Sequence, residues 1–120
     1  MSPLLLLAAA ACGGLGAGVR YLVDVAVARA AGTRFPWGVM VVNLTGSFVL
    51  GIVVGALPDA AFVVGAGFLG GYTTFSTAML DTVALWRDGE RPASVAHAVG
   101  MLLGGILLAA AGLALTAAVR

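Results

Sequence analysis

The chain has 120 residues, of which 62% are hydrophobic and only 9% charged, with a formal net charge of +1. A soluble domain carries about 25% charged residues, so this composition excludes a soluble globular enzyme, and it equally excludes a disordered chain. The near-neutral charge leaves no basic field for nucleic acid, and a single Cys allows no internal disulfide. The expected class is a small all-α membrane protein, one domain over 1–120.

The charged side chains act as a ruler. They leave charge-free intervals at 1–19, 35–58, 60–80 and 92–119, each long enough for a membrane helix of roughly 17–25 residues. This predicts four transmembrane helices over about 3–22, 37–57, 60–82 and 93–118, in contact with lipid. In the first, Leu4 to Ala11 resembles a signal-peptide core, but no Lys or Arg precedes Arg20. A cleaved signal needs positive charge ahead of its apolar run, so this segment is read as a span with Cys12 as a small buried residue.

The second predicted helix carries Asn43, Thr45 and Ser47. Thr45 and Ser47 are expected to bond back to carbonyls of the preceding turn. Asn43 has two donors and an acceptor oxygen and cannot satisfy them on its own helix; it is either a link between helices or a donor lining a pore. The Pro58-Asp59 turn then makes a tight hairpin into the third helix. That helix contains Gly70-Gly71-Tyr72-Thr73-Thr74-Phe75-Ser76-Thr77, a Gly pair followed by hydroxyl residues. Gly and Thr are poor helix formers, so the expectation is a break near Gly70–Thr73, with a kinked but continuous helix as the alternative. Irregular backbone at membrane depth persists only where it is buried or lines a cavity, and its released carbonyls can hold a cation. In the fourth helix His97 falls about one turn from the start and is read as an interfacial His, with Trp37 and Trp86 as anchors at helix ends.

Gly14/Gly18, Gly51/Gly55, Gly67/Gly71 and Gly100/Gly104 give each helix one Gly-xxx-Gly pair, the spacing that lets backbones approach closely in lipid. Four short helices enclose little volume, so a solute path is expected between subunits of an oligomer. No Ser/His/Asp arrangement, phosphate loop or metal-ligand cluster is present, and no enzyme activity is expected. No carboxylate falls within a predicted span, which argues against a small multidrug-type antiporter, because proton coupling there needs a titratable group.

Four spans put both termini and the 58–60 turn on one side, with Arg120. The other side carries Arg20, Arg29, Arg34, Arg87 and Arg91. The positive-inside rule places the more basic loops, 23–36 and 83–92, in the cytoplasm of a cell (inner or plasma) membrane. Such a fixed orientation leaves no oppositely inserted copy of this chain, so any oligomer with subunits of opposite orientation needs a paralogous partner.

Three stretches resemble the CrcB/Fluc family of small fluoride ion channels: Gly13-Gly14-Leu15-Gly16-Ala17-Gly18-Val19-Arg20-Tyr21, Val42-Asn43-Leu44-Thr45-Gly46-Ser47-Phe48, and Gly67 to Thr77. The resemblance implies an antiparallel dimer with two pores along its interface and a third helix broken at mid-span. It implies a central structural Na⁺ on backbone carbonyls, matched here by Gly70 and Thr73, and a fluoride path matched by Asn43, Phe75, Ser76 and Thr77. Arg20 matches the Arg at the end of the first helix. The implied function is passive fluoride exit from the cell. Departures from the family pattern fall at Val39, Ala78, His97, Met101 and Gly105, which lose one aromatic and several polar groups. Val39, Ala78 and Met101 keep alive the reading of a non-conducting structural subunit.

Overall fold

Ser2 opens the first helix, its hydroxyl accepting the Leu5 N–H at 3.2 Å, with Pro3 at the first helical position, where its missing N–H costs nothing. This computed structural model describes residues 2–119; Arg120 lies outside them. Helix α1 (Pro3–Ala31) runs well beyond Leu22, through Arg20, Asp24 and Arg29, and stops only at Gly32, whose φ of 81° suits a residue without a side chain. Helix α2 (Trp37–Ala56) follows, and Leu57 closes it by donating to the Val53 carbonyl. A tight turn over Pro58–Ala60 leads back, as expected for a hairpin.

The return path is not a regular helix. Residues Ala61–Leu69 are wound with i→i+5 hydrogen bonds, and the Gly70 N–H still reaches the Gly65 carbonyl. One short turn, α3 (Gly70–Tyr72), continues it. Thr73 then takes an extended conformation (φ −81°, ψ 160°), and helix resumes as α4 (Ser76–Arg87). Helix α5 (Arg91–Ala118) completes the chain.

Among the described residues all regular structure is helical. Helices α1, α2 and α5 are each long and apolar enough to cross a membrane. Their outward faces are lined by large apolar side chains such as Leu4, Leu7, Leu102 and Leu107, the surface that lipid requires. The molecule belongs in a membrane.

Helix α1 packs on the 61–72 segment, and α2 packs chiefly on α5. Small residues make both contacts. A side chain at Gly16 would strike the Phe68 carbonyl, one at Gly71 the Gly13 carbonyl, and one at Gly51 the Ala109 carbonyl. The expected pairs Gly51/Gly55 and Gly67/Gly71 therefore lie at contacts, and Gly104 faces Leu44. Gly14 and Gly18 do not: nothing lies within 4 Å of the space a side chain would fill. The rotation of α1 turns Gly13 and Gly16 inward instead. Cys12 is half-buried.

Candidate functional site

The interruption between Tyr72 and Ser76 is held by α2. The Asn43 Nδ2 donates to the Thr74 carbonyl at 2.8 Å, and the Thr74 N–H donates to Asn43 Oδ1 at 2.8 Å. The side-chain amide thus pairs with the N–H and the carbonyl of a single residue, as facing residues do in an antiparallel sheet. The Thr74 N–H and carbonyl fix which end of the amide is which. The second Nδ2 proton goes to the Met101 thioether on α5, at 3.1 Å. Of the two roles open to Asn43, a link between helices is what the chain itself contains.

This pairing has a consequence for the backbone. In a continuous helix the Thr74 N–H would donate to the Gly70 carbonyl. Here it is spent on Asn43. The Thr77 N–H, which would meet the Thr73 carbonyl, instead reaches the Thr74 hydroxyl at 3.3 Å. The carbonyls of Gly70 and Thr73 have both lost their regular helical donors. Local hydroxyls support the bend: Thr73 Oγ1 donates to the Leu69 carbonyl at 2.9 Å, and Thr74 Oγ1 to Thr77 Oγ1 at 3.1 Å. On α2, Thr45 and Ser47 bond back to the Val41 and Asn43 carbonyls, at 2.6 and 2.8 Å, as expected. With the Thr45 proton so used, the Tyr72 hydroxyl donates to Thr45, at 2.9 Å.

Two cavities meet at Thr74. One, of about 440 Å³, is lined by Asn43, Gly70, Thr73, Phe75, Ala78 and Met101 among others. The second, of about 260 Å³, contains Arg20, Tyr21, Asp24, Val39 and Thr77. The candidate residues therefore divide. Asn43, Gly70, Thr73 and Phe75 share the first cavity, Arg20 and Thr77 share the second, and Ser76 lines neither, standing exposed at the start of α4. Phe75, although it borders the first cavity, is 77% exposed.

His97, near the start of α5, faces inward. It is fully buried, with Nδ1 at 2.8 Å from the Thr82 hydroxyl and its ring edge-on to Phe35 at 5.5 Å. Trp37 and Trp86 are partly exposed near helix ends, and Arg91 stacks over the Trp86 ring at 4.7 Å. Sequence reasoning did not find Thr74, the residue both cavities share. Its signal was present only as one hydroxyl among several after a Gly pair.

Residues 7–113 match the model of the CrcB-like protein, Camphor Resistance (CrcB) family. The chain belongs to that family. A fluoride-specific ion channel FluC from Chelativorans sp. is 41% identical over 108 residues, covering 84% of this chain and 86% of that protein. Fluoride-specific ion channel FluC 1 from Leifsonia xyli is 43% identical, covering 96% of this chain and 87% of its own length. Fluoride-specific ion channel FluC 2 from Mycobacterium tuberculosis H37Rv is 45% identical over 83% of this chain and 81% of its own length. Members of the CrcB family are ion channels, and this chain is not an enzyme.

Proposed function

We propose that this protein is a subunit of a fluoride-selective channel in the cell membrane. Through it cytoplasmic fluoride leaves passively, which lowers its toxicity. Besides family membership, one observation supports this reading: the helix interruption that the Asn43–Thr74 bonds hold lies beside a cavity that Asn43 and Phe75 both line. Fluoride is small and strongly hydrated, so a path for it must replace water with N–H and O–H groups. The positive edge of Phe75 faces an anion without offering it a competing charge.

Four membrane spans, over about 3–22, 37–57, 60–82 and 93–118, form one domain, with the interruption in the third at membrane depth. The Gly70 and Thr73 carbonyls, deprived of their regular donors, fit a monovalent cation, and they are the groups that would hold Na⁺. A bound Na⁺ supplies fixed positive charge, which lowers the cost of bringing an anion into low dielectric. Phe75 lines the first cavity yet is 77% exposed, so a second chain would be needed to enclose a path beside it. That chain is antiparallel, and the five-to-one Arg imbalance favours a paralogue over a second copy. Relatives numbered FluC 1 and FluC 2 accord with such pairs. The loops 23–36 and 83–92 then face the cytoplasm.

The test is fluoride efflux from liposomes holding this chain alone, its paralogue alone, or both. Efflux that requires both supports the pairing; none in any combination defeats the channel reading. The second reading, a non-conducting structural subunit, is favoured by one observation: Met101 occupies the second N–H of Asn43. Efflux from the pair that is indifferent to Asn43→Ala in this chain would establish it.

A further inference from the structure

Every hydrogen-bonding proton of the Asn43 side chain is already spoken for. Two of its bonds go to the Thr74 carbonyl and N–H and hold the interruption together, so neither is available to an ion without undoing the backbone. The third partner is of another kind. The thioether of Met101 is a weak acceptor, carried on an unbranched side chain with three rotatable bonds. It lines the same 440 Å³ cavity as Asn43 and Phe75, so it has space to turn into.

We infer that Met101 is a displaceable placeholder for the anion at Asn43. Its sulfur holds the Nδ2 proton not used by Thr74 and swings into the cavity when fluoride takes that proton. This rests on the fluoride reading above. A buried amide proton with no acceptor is costly, and the thioether removes that cost while no ion is present. A hard anion is a far better acceptor than a thioether, because a charge-assisted bond is roughly twice as strong as a neutral one. The exchange therefore favours the ion. The Thr74 clasp stays closed throughout, so the ion is admitted by a side-chain rotation alone. Met101 acts through Asn43 and is a positioning residue, and its presence sets how much fluoride is needed to occupy the site.

The sequence offers a clean probe. Asn43 is the only Asn of the chain, and there is no Gln, so the labelled chain has a single carboxamide NH₂ group. In nitrogen-labelled protein, assembled in lipid nanodiscs with an unlabelled partner, that group gives one pair of proton lines. Titration with sodium fluoride at constant ionic strength, against sodium chloride, should move one line of the pair and leave the other, bonded to Thr74, in place. Met101→Leu keeps the volume and removes the acceptor. It should shift the same line before any fluoride is added and lower the half-saturating fluoride by about two- to five-fold, the ratio that one weak neutral hydrogen bond represents. If fluoride moves neither line or both alike, or if Met101→Leu leaves the midpoint unchanged, the inference is overturned. Efflux measured on the same samples separates the two ideas. Flux without a line shift defeats the role of Met101 alone, whereas a shift without flux upholds it and defeats the channel reading.

Discussion

The Thr82 hydroxyl and the His97 ring meet at 2.8 Å, and the proton between them belongs to His97. Thr82 spends its own hydroxyl proton on the Ala78 carbonyl, also at 2.8 Å, so its oxygen can only accept. In neutral His97 the proton therefore sits on Nδ1, and Nε2, buried without a partner, is a bare lone pair. With Ser94 donating to the Thr82 carbonyl at 2.7 Å, this residue ties α4 to α5 twice.

Thr82→Val keeps the shape of the side chain and leaves the buried Nδ1 proton without an acceptor. The expected loss is about 1–3 kcal/mol, read as a lower thermal midpoint of the purified protein in detergent. Thr82→Ser retains the hydroxyl and should recover most of it. Equal midpoints for the Val variant and the parent would mean that the pair contributes nothing.

Close approach of α1 to the 61–72 segment makes an equally sharp contrast among glycines. Gly71→Ala places a methyl against the Gly13 carbonyl, which is backbone and has nowhere to go. A cost of about 1–3 kcal/mol is expected, with poor yield of folded protein. Gly14→Ala meets nothing within 4 Å and gains helix propensity, so the isolated chain should be unchanged or stabilised by up to about 1 kcal/mol. Size-exclusion profiles and thermal midpoints of the two variants make the comparison.

These glycines also mark where sequence stops being informative. The all-helical class and the limits of α2 and α5 were legible because lipid forbids charge over any length that must cross it. The end of α1 was not. Arg20, Asp24 and Arg29 bound a lipid-facing stretch, yet they are tolerated within a helix, which therefore continues until Gly32. Nor did spacing distinguish Gly14/Gly18 from Gly13/Gly16, since both recur regularly along α1 and only its rotation about the axis chooses between them. In the candidate site the need of Asn43 for partners was legible from its chemistry. Their identity was not, because the main partner is a peptide group, and peptide groups are the same at every position. The burial of His97 was not legible from its place near a helix start: depth along the axis says nothing about which way the ring faces.

Phe75→Ala separates function from folding. The ring is 77% exposed in this chain, and surface substitutions of this kind stay within about 0.5 kcal/mol. Its removal should leave the thermal midpoint of the isolated chain unchanged while sharply reducing fluoride efflux from the assembled channel. Undiminished efflux would remove Phe75 from the path.

Asn43 should behave oppositely, affecting both. Asn43→Ala strips partners from the Thr74 N–H and carbonyl, and a loss of about 1–3 kcal/mol for each buried group left bare is expected, together with loss of efflux. Asn43→Asp keeps an oxygen for the Thr74 N–H but offers no donor when ionised; it should retain part of the stability and none of the flux. Thermal midpoints and liposome efflux on the same preparations would show whether the two properties part company.

The Asn43–Thr74 clasp also bears on how the protein is made. Its two halves are 31 residues apart, and the half that supplies the backbone N–H and carbonyl emerges from the ribosome second. Helix α2 is thus synthesised before residues 73–75, whose N–H and carbonyl groups then need partners that lipid cannot provide. A circular permutant that placed 58–87 ahead of 37–56 would keep every contact of the finished fold while reversing that order. Its Thr74 peptide would meet hydrocarbon before Asn43 existed, so it should insert poorly and be cleared by quality-control proteases. Synthesis from the natural start makes the donor first and the vacancy afterwards.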